Sequence, residues 1–192
     1  MLKLNLGCGT TRLPGWVNVD KHASLGPDQV VDLESFPWPW TDSSVEEVML
    51  SHVLEHLGQT PAAFIGVMKE LWRVCSDGAR VHIAVPDPRH DFFLDDPTHV
   101  RPILRGTLEL FSRELNEKWR RMSAANTQLA LIHGVDFELE HHEVDFDEPW
   151  RSRVKAGGIS QDELRDAMRR YANVVVEHRF RLVVVKLDEP AR

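Results

Sequence analysis

The chain has 192 residues, 42% hydrophobic and 28% charged, with a formal net charge of −7. That length allows one domain with a substantial core. The acidic balance argues against a nucleic-acid backbone as main partner, because neutralising phosphates needs clustered Lys and Arg. Basic residues gather at 113–121 and 165–170, but acids are interleaved in both stretches, which read as solvated helix faces. No apolar run approaches the length of a membrane span, and no charged leader precedes the first strand, so no membrane partner is expected. The two cysteines, Cys8 and Cys75, fall in a glycine turn and on an apolar helix stripe. Neither placement suggests a disulfide, and a cytoplasmic setting is expected.

Residues 3–6 form a short apolar strand that runs into Gly7-Cys8-Gly9, and residues 17–20 form a second strand that ends on Asp20. Glycines at the carboxyl end of a first strand let the backbone turn sharply and let a ligand lie against the main chain. An acid ending the neighbouring strand can accept both hydroxyls of a ribose. Asp20 is the expected acceptor, with turn capping as its alternative role. A dinucleotide fingerprint would need a third glycine, but Arg12 stands there and Pro14-Gly15 breaks the chain. Too few residues remain for a crossover helix whose amides could hold a diphosphate. The pattern suits a nucleoside without phosphate, of which S-adenosylmethionine is the common one.

A third strand is expected over 29–32. Phe36-Pro37-Trp38-Pro39-Trp40 cannot continue it, since two prolines lack ladder donors. It reads as a rigid aromatic loop over the carboxyl edge of the sheet, flanking an acceptor or capping the core. A fourth strand covers 47–51. Thr60-Pro61 then open the clearest helix, with Phe64, Val67, Met68, Leu71, Trp72 and Cys75 on one stripe and Asp77-Gly78 at its end. Residues 80–85 make a nearly continuous apolar strand.

Beyond Pro86 a polar loop is expected over 87–101, then mostly helix over 105–132, broken near 123–127. Residues 135–140 alternate strictly as a strand that continues loosely to 146. Ser160-x-x-Glu163 is a capping box opening a helix to about 171. The last strand is expected over 179–187, with a hairpin of 174–177 and 181–185 as the alternative.

Five landmarks carry a resemblance: LNLGCG at 4–9, VNVD at 17–20, VVDLESFPW at 30–38, DSSVEEVMLSHVLEHL at 42–57 and ELWRVCSDGARVHIAVPD at 70–87. In that order they resemble the class I S-adenosylmethionine-dependent methyltransferases, most of all the compact type 11 branch. Asn5 departs from the pattern, standing where that family often has an acid. The resemblance implies a Rossmann-like α/β sheet, mostly parallel with an antiparallel C-terminal strand and shortened first crossovers. It implies a single methyltransferase domain, with 1–88 as the cofactor-binding half and 89–192 on the substrate side. The expected cofactor residues are Leu6, Gly7, Cys8, Gly9, Asp20, Asp32, Leu33, Ser51 and His52. Asp32 and Leu33 occupy the family's adenine position, and Ser51 and His52 close the fourth strand beside the expected sulfonium.

His52 is also a candidate general base, with a capping or packing role as its alternative. His56, four residues on, could share its face, but no third ligand is evident in the sequence, so no metal is expected. In the loop at 95–101, His99 could take a proton and Arg101 could hold an anionic group; the alternative is an acidic solvated loop. Glu140-His141-His142-Glu143 has the look of a metal cluster, yet adjacent strand residues point to opposite faces, so a polar edge strand is expected. His133 and His178 carry no assignment. Methyl transfer needs alignment more than covalent help. The reading is an enzyme that methylates oxygen or nitrogen of a small polar or sugar-containing acceptor, without nucleic acid and compatible with a homodimer. A non-catalytic cofactor-binding module, or a partner subunit, is the alternative.

Overall fold

The computed structural model describes residues 1–186. Seven strands, β1 (Leu2–Leu6), β2 (Val17–Asp20), β3 (Gln29–Val30), β4 (Val45–Ser51), β5 (Cys75–Pro86), β6 (Phe137–Phe146) and β7 (Val175–Val184), form one sheet. Their spatial order is β3-β2-β1-β4-β5-β7-β6. Strands β1 to β5 are parallel, β7 lies antiparallel to β5, and β6 antiparallel to β7. This is the expected Rossmann-like sheet. Among the described residues no helix is long and apolar enough to cross a membrane.

Helix α1 (Pro61–Val74) starts as its sequence dictates, with the Ala63 amide donating to Thr60 Oγ1 at 3.2 Å and Pro61 in the first position. It buries Phe64, Val67, Met68, Leu71 and Val74. These pack on alternate residues of the central strands, Leu4, Leu6, Val48, Leu50, Val81 and Ile83. The helix ends sooner than its apolar stripe suggests. Cys75 is buried as the first residue of β5, paired with Val45, and Asp77-Gly78 lie within the strand. The register shifts between Val45 and Glu47, and Gly78 takes φ +71° there, so the breaker signal marks a bulge instead of a helix stop.

From β1 to β4 the connections contain no α-helix, only a 3-10 turn at Ala23–Leu25. Side chains do the work of the first missing helix. The Asn5 amide donates to Asn18 Oδ1 and to the Thr11 carbonyl, both at 2.9 Å. Asn18 also accepts from the Leu13 amide at 2.8 Å and donates to Asp28 at 2.9 Å. Asn5 thus fastens the shortened crossover.

The aromatic loop replaces the third. Trp38 and Trp40 are only 3% and 6% exposed, meet edge to face at 5.8 Å, and join the same core as α1. Trp40 Nε1 donates to Gln29 at the start of β3, and Arg73 in the last turn of α1 donates to the carbonyls of Trp38 and Trp40, each at 3.0 Å. The loop therefore runs down the sheet to its amino edge, and the expected placement over the carboxyl edge does not occur. Burying two indoles there supplies apolar area that a helix would otherwise bring. β3 is shorter than expected, and Asp32 lies in the turn beyond it.

The opposite face of the sheet carries Lys3, Glu47, His82 and Arg181, all partly exposed. They are cross-paired: Lys3 to Glu47 at 2.8 Å, Glu47 to His82 at 3.0 Å, and Arg181 to Glu140. Antiparallel sheets often leave a polar face to water; here parallel strands do so as well.

The C-terminal half holds a four-residue helix in the polar loop, α2 (Asp91–Leu94), then α3 (Arg105–Glu109), α4 (Arg113–Arg121) and α5 (Leu129–His133). Three short helices replace the two expected. Helix α6 (Trp150–Lys155) had no sequence signal, while α7 (Gln161–Arg170) opens on the capping box, with Ser160 Oγ accepting from the Glu163 amide at 3.2 Å. β7 is continuous, so the alternative hairpin does not form. Its ladder groups are satisfied by β5 on one side and β6 on the other, which a hairpin would forfeit. Leu187, the expected end of that strand, lies outside the described residues.

Candidate active site

A cavity of about 400 Å³ opens at the carboxyl ends of β1, β2 and β4, lined among others by Gly7, Asp20, Asp32, Leu33, His52, Val53, His56 and Thr98. Gly7 takes φ +63°, and a Cβ there would come within 2.5 Å of Val53 Cγ2, so only glycine fits. The Gly9 amide donates to Asp20 Oδ2 at 2.9 Å and the His22 amide to Oδ1 at 2.8 Å. Asp20 is 8% exposed and fixed at both oxygens, each of which retains a second lone pair. Asp32 accepts from the Glu34 amide at 3.0 Å, and Glu34 accepts from the Gly58 amide at 2.8 Å, which closes the rim.

Other expected cofactor residues contribute differently. The side chains of Leu6 and Cys8 are buried, so only their main chain reaches the turn. Burial, then the charge of Asp20, pushes the Cys8 thiol up from its ordinary value. The Ser51 side chain lines a groove with Met49, His82 and Arg181 on the charged face, away from this cavity.

His52 follows directly on β4 in the left-handed region, at φ +54°. Its Nε2 lies 2.7 Å from Glu177 and its Nδ1 3.4 Å from Glu55. Glu55 first, with Glu177 adding to it, raises the His52 pKa against the lowering effect of burial. A second cavity of about 610 Å³ lies on its other side, lined by His52, Pro86, Phe92, Asp95, Asp96, Pro97, His99 and Val176. The imidazole of His52 thus stands on the wall of both spaces.

The loop that supplies the second cavity is held by main-chain bonds: the Val100 and Arg101 amides donate to the Glu55 carbonyl at 2.9 and 3.1 Å. His99 reaches the cavity wall, with Nδ1 2.9 Å from the Phe93 carbonyl. Arg101 does not. Its guanidinium donates to the Gly58 carbonyl and lies 4.5 Å over the Phe64 ring, on the side of α1. One polar edge and its face are used in holding the loop, which accounts for a guanidinium two residues from an imidazole without any anionic ligand.

Sequence reasoning passed over Glu55 and Glu177. Glu55 is the one acid inside the apolar run Val53 to Leu57, the sole signal that could have marked it. Farther along, His141 and His142 do separate across β6. His142 Nε2 meets His178 Nδ1 at 3.0 Å, and His178 Nε2 meets Asp87 at 2.7 Å. Burial, with the neighbouring His178, pushes His142 down to about 4.

A sheet in this order, with β7 reversed between β5 and β6 and a glycine turn after β1, is the class I S-adenosylmethionine-dependent methyltransferase fold. Solved structures agree. An S-adenosylmethionine-dependent methyltransferase from Archaeoglobus fulgidus superposes with a TM-score of 0.61 at 17% identity, over 94% of this chain and 85% of that one. One from Methanosarcina mazei gives 0.57 at 12% identity, over 96% and 92%. The [4+2]-cyclase SpnF gives 0.53 at 14% identity, over 95% and 75%. No protein-family model matches the sequence, and no curated protein does. Likenesses at these identities establish the fold; the chemistry has to be argued from the residues.

Proposed function

We propose that the protein is an S-adenosylmethionine-dependent methyltransferase whose acceptor is a small polar molecule presenting oxygen or nitrogen. One observation carries the reading: a cavity built on Gly7 and a doubly anchored Asp20 adjoins an acid-lined cavity, and His52 lines both.

The residues fit the cofactor. The space is within the range of small-molecule sites, the Gly7 turn lines it, and Asp20 has acceptor capacity to spare for a ribose. Asp32 and Leu33 stand where an adenine edge would be read. When bound, the cofactor supplies a methyl group already activated on a sulfonium. The chain then has to align the acceptor and exclude water. Asp95 and Asp96 orient it by polar contact, while Phe92, Pro86 and Val176 form the apolar part of its wall. His99, with Nδ1 held by the Phe93 carbonyl, completes that wall. His52, 2.7 Å from Glu177 and 3.4 Å from Glu55, stands beside both spaces as the candidate base or positioning group.

Calorimetry with S-adenosylhomocysteine, NAD and ATP side by side tests the reading. Binding of the first alone supports it; binding of NAD without the first overturns it. A second reading, in which the cofactor is held without methyl transfer, is the non-catalytic module; a [4+2]-cyclase among the solved structures of this fold favours a role other than methyl transfer. Cofactor binding with no methyl incorporation in a broad metabolite screen would select that reading.

A further inference from the structure

Glu55 is an expensive residue as it stands. Its side chain is 0% exposed, and neither carboxylate oxygen accepts a hydrogen bond. A buried carboxylate is costly unless it is paired and hydrogen-bonded or binds a metal. The nearest groups that could carry positive charge are His52 Nδ1 at 3.4 Å and His99 Nε2 at 3.9 Å. Neither separation is a hydrogen bond.

Two imidazoles beside it are set up as ligands. His99 Nδ1 lies 2.9 Å from the Phe93 carbonyl, which can only accept, so Nδ1 carries the proton and Nε2 the lone pair. His56 Nδ1 lies 2.9 Å from Thr98 Oγ1, whose own proton goes to Asp96 at 2.6 Å. That relay makes His56 Nδ1 a donor and leaves its other nitrogen free. Fixing one ring nitrogen on an acceptor is how proteins orient metal-binding histidines and raise their basicity. Glu55, His56 and His99 each place a ligating atom within 4.8 Å of the other two.

We infer that Glu55, His56 and His99 bind one divalent transition-metal ion, with zinc as the natural occupant. Two imidazoles and one carboxylate are a donor set for such ions, and three protein ligands leave a coordination position open. Donors on zinc sit about 3.3 Å apart for bonds of about 2.0–2.1 Å. The three ligating atoms stand within 4.8 Å of one another, so binding requires the His56 and His99 rings to turn toward Glu55. The objection that separated His141 from His142 on a strand does not apply, since Glu55 and His56 are neighbours in a 3-10 turn. His99 is delivered by main-chain bonds from Val100 and Arg101 to the Glu55 carbonyl, and its Nε2 makes no hydrogen bond among the described residues. The ion lies in the partition between the two cavities, with His56 on one wall and His99 on the other.

The inference does not rest on methyl transfer, and its test needs no cofactor. The full chain, stripped with chelator and dialysed, would be titrated with zinc chloride against a chromogenic competitor and with cobalt chloride by visible absorption. One ion per chain is expected, with cobalt bands of a low-coordinate nitrogen and oxygen site. Glu55→Gln and His99→Ala should each weaken zinc by roughly a hundredfold, and Thr98→Val, which releases the His56 ring, by about tenfold. His141→Ala, on the charged face, should change nothing. Circular dichroism checks the fold of each variant, and His56→Ala carries the test if Glu55→Gln fails to fold. Substoichiometric uptake of both ions by the wild-type chain would overturn the inference, leaving protonated His52 as the counter-charge of Glu55. So would uptake that Glu55→Gln, His56→Ala and His99→Ala all leave unchanged.

Discussion

Asp20 serves two purposes with one carboxylate: it ties Gly9 and His22 into the turn and keeps lone pairs for a ligand. Asp20→Asn keeps the size but loses the charge and sets an amide nitrogen against one of the two N–H groups that anchor the turn. S-adenosylhomocysteine should bind it about 10–100-fold more weakly, since a hydrogen bond to a charged group contributes about 1.5–3 kcal/mol; calorimetry reads this directly. His142 gives a separate residue-scale expectation. Its folded pKa, pushed down to about 4, lies below the ordinary imidazole value, so the unfolded chain binds more protons between the two. The stability this site contributes is therefore present above about pH 6.5 and is lost as pH falls toward 4. In urea melts over that range, His142→Phe should flatten the acid-side decline; an unchanged slope would show that other groups cause it.

At the scale of elements, side-chain clamps hold segments that regular structure does not. Arg73 binds Glu70, Asp42 and the carbonyls of Trp38 and Trp40, so one guanidinium fixes the aromatic loop to α1. Arg73→Ala should cost about 3 kcal/mol in denaturant melts, because several charged hydrogen bonds are lost and two carbonyls are orphaned. Arg101 is the corresponding clamp of the second cavity. Arg101→Ala should lower the melting temperature and speed proteolytic cleavage within 95–101, while leaving S-adenosylhomocysteine affinity within about twofold of wild type. Where the sequence could be read, its signals were local. Thr60-Pro61, the Ser160 capping box and the strand ending on Asp20 each announce themselves within four residues. The course of the aromatic loop, the bulge at Gly78 and the continuity of β7 depend on partners far along the chain. Asp20 and Gly7 were visible in the sequence for the same local reason. Glu55 was not, because its burial depends on a loop more than forty residues downstream folding over it.

Across the whole molecule, the apolar strand faces turn toward α1 and the aromatic loop, and the other face is a ladder of ion pairs. The architecture was foreseeable from the order of landmarks, and the shortened crossovers from the few residues between strands. What could not be foreseen was that, among the described residues, nothing regular replaces the missing helices on the charged side. That one-sidedness has a thermodynamic consequence. The heat capacity of unfolding rises with apolar surface newly hydrated and falls with polar surface, giving about 12–15 cal/mol/K per residue in ordinary domains. A sheet dry on one side only has less oil to expose, and charged groups already half in water subtract from the total. Scanning calorimetry should return a value below that band, and hence a stability curve broader and shallower than usual. Such a protein would lose little of its folding free energy on cooling, trading height at the optimum for tolerance on either side of it.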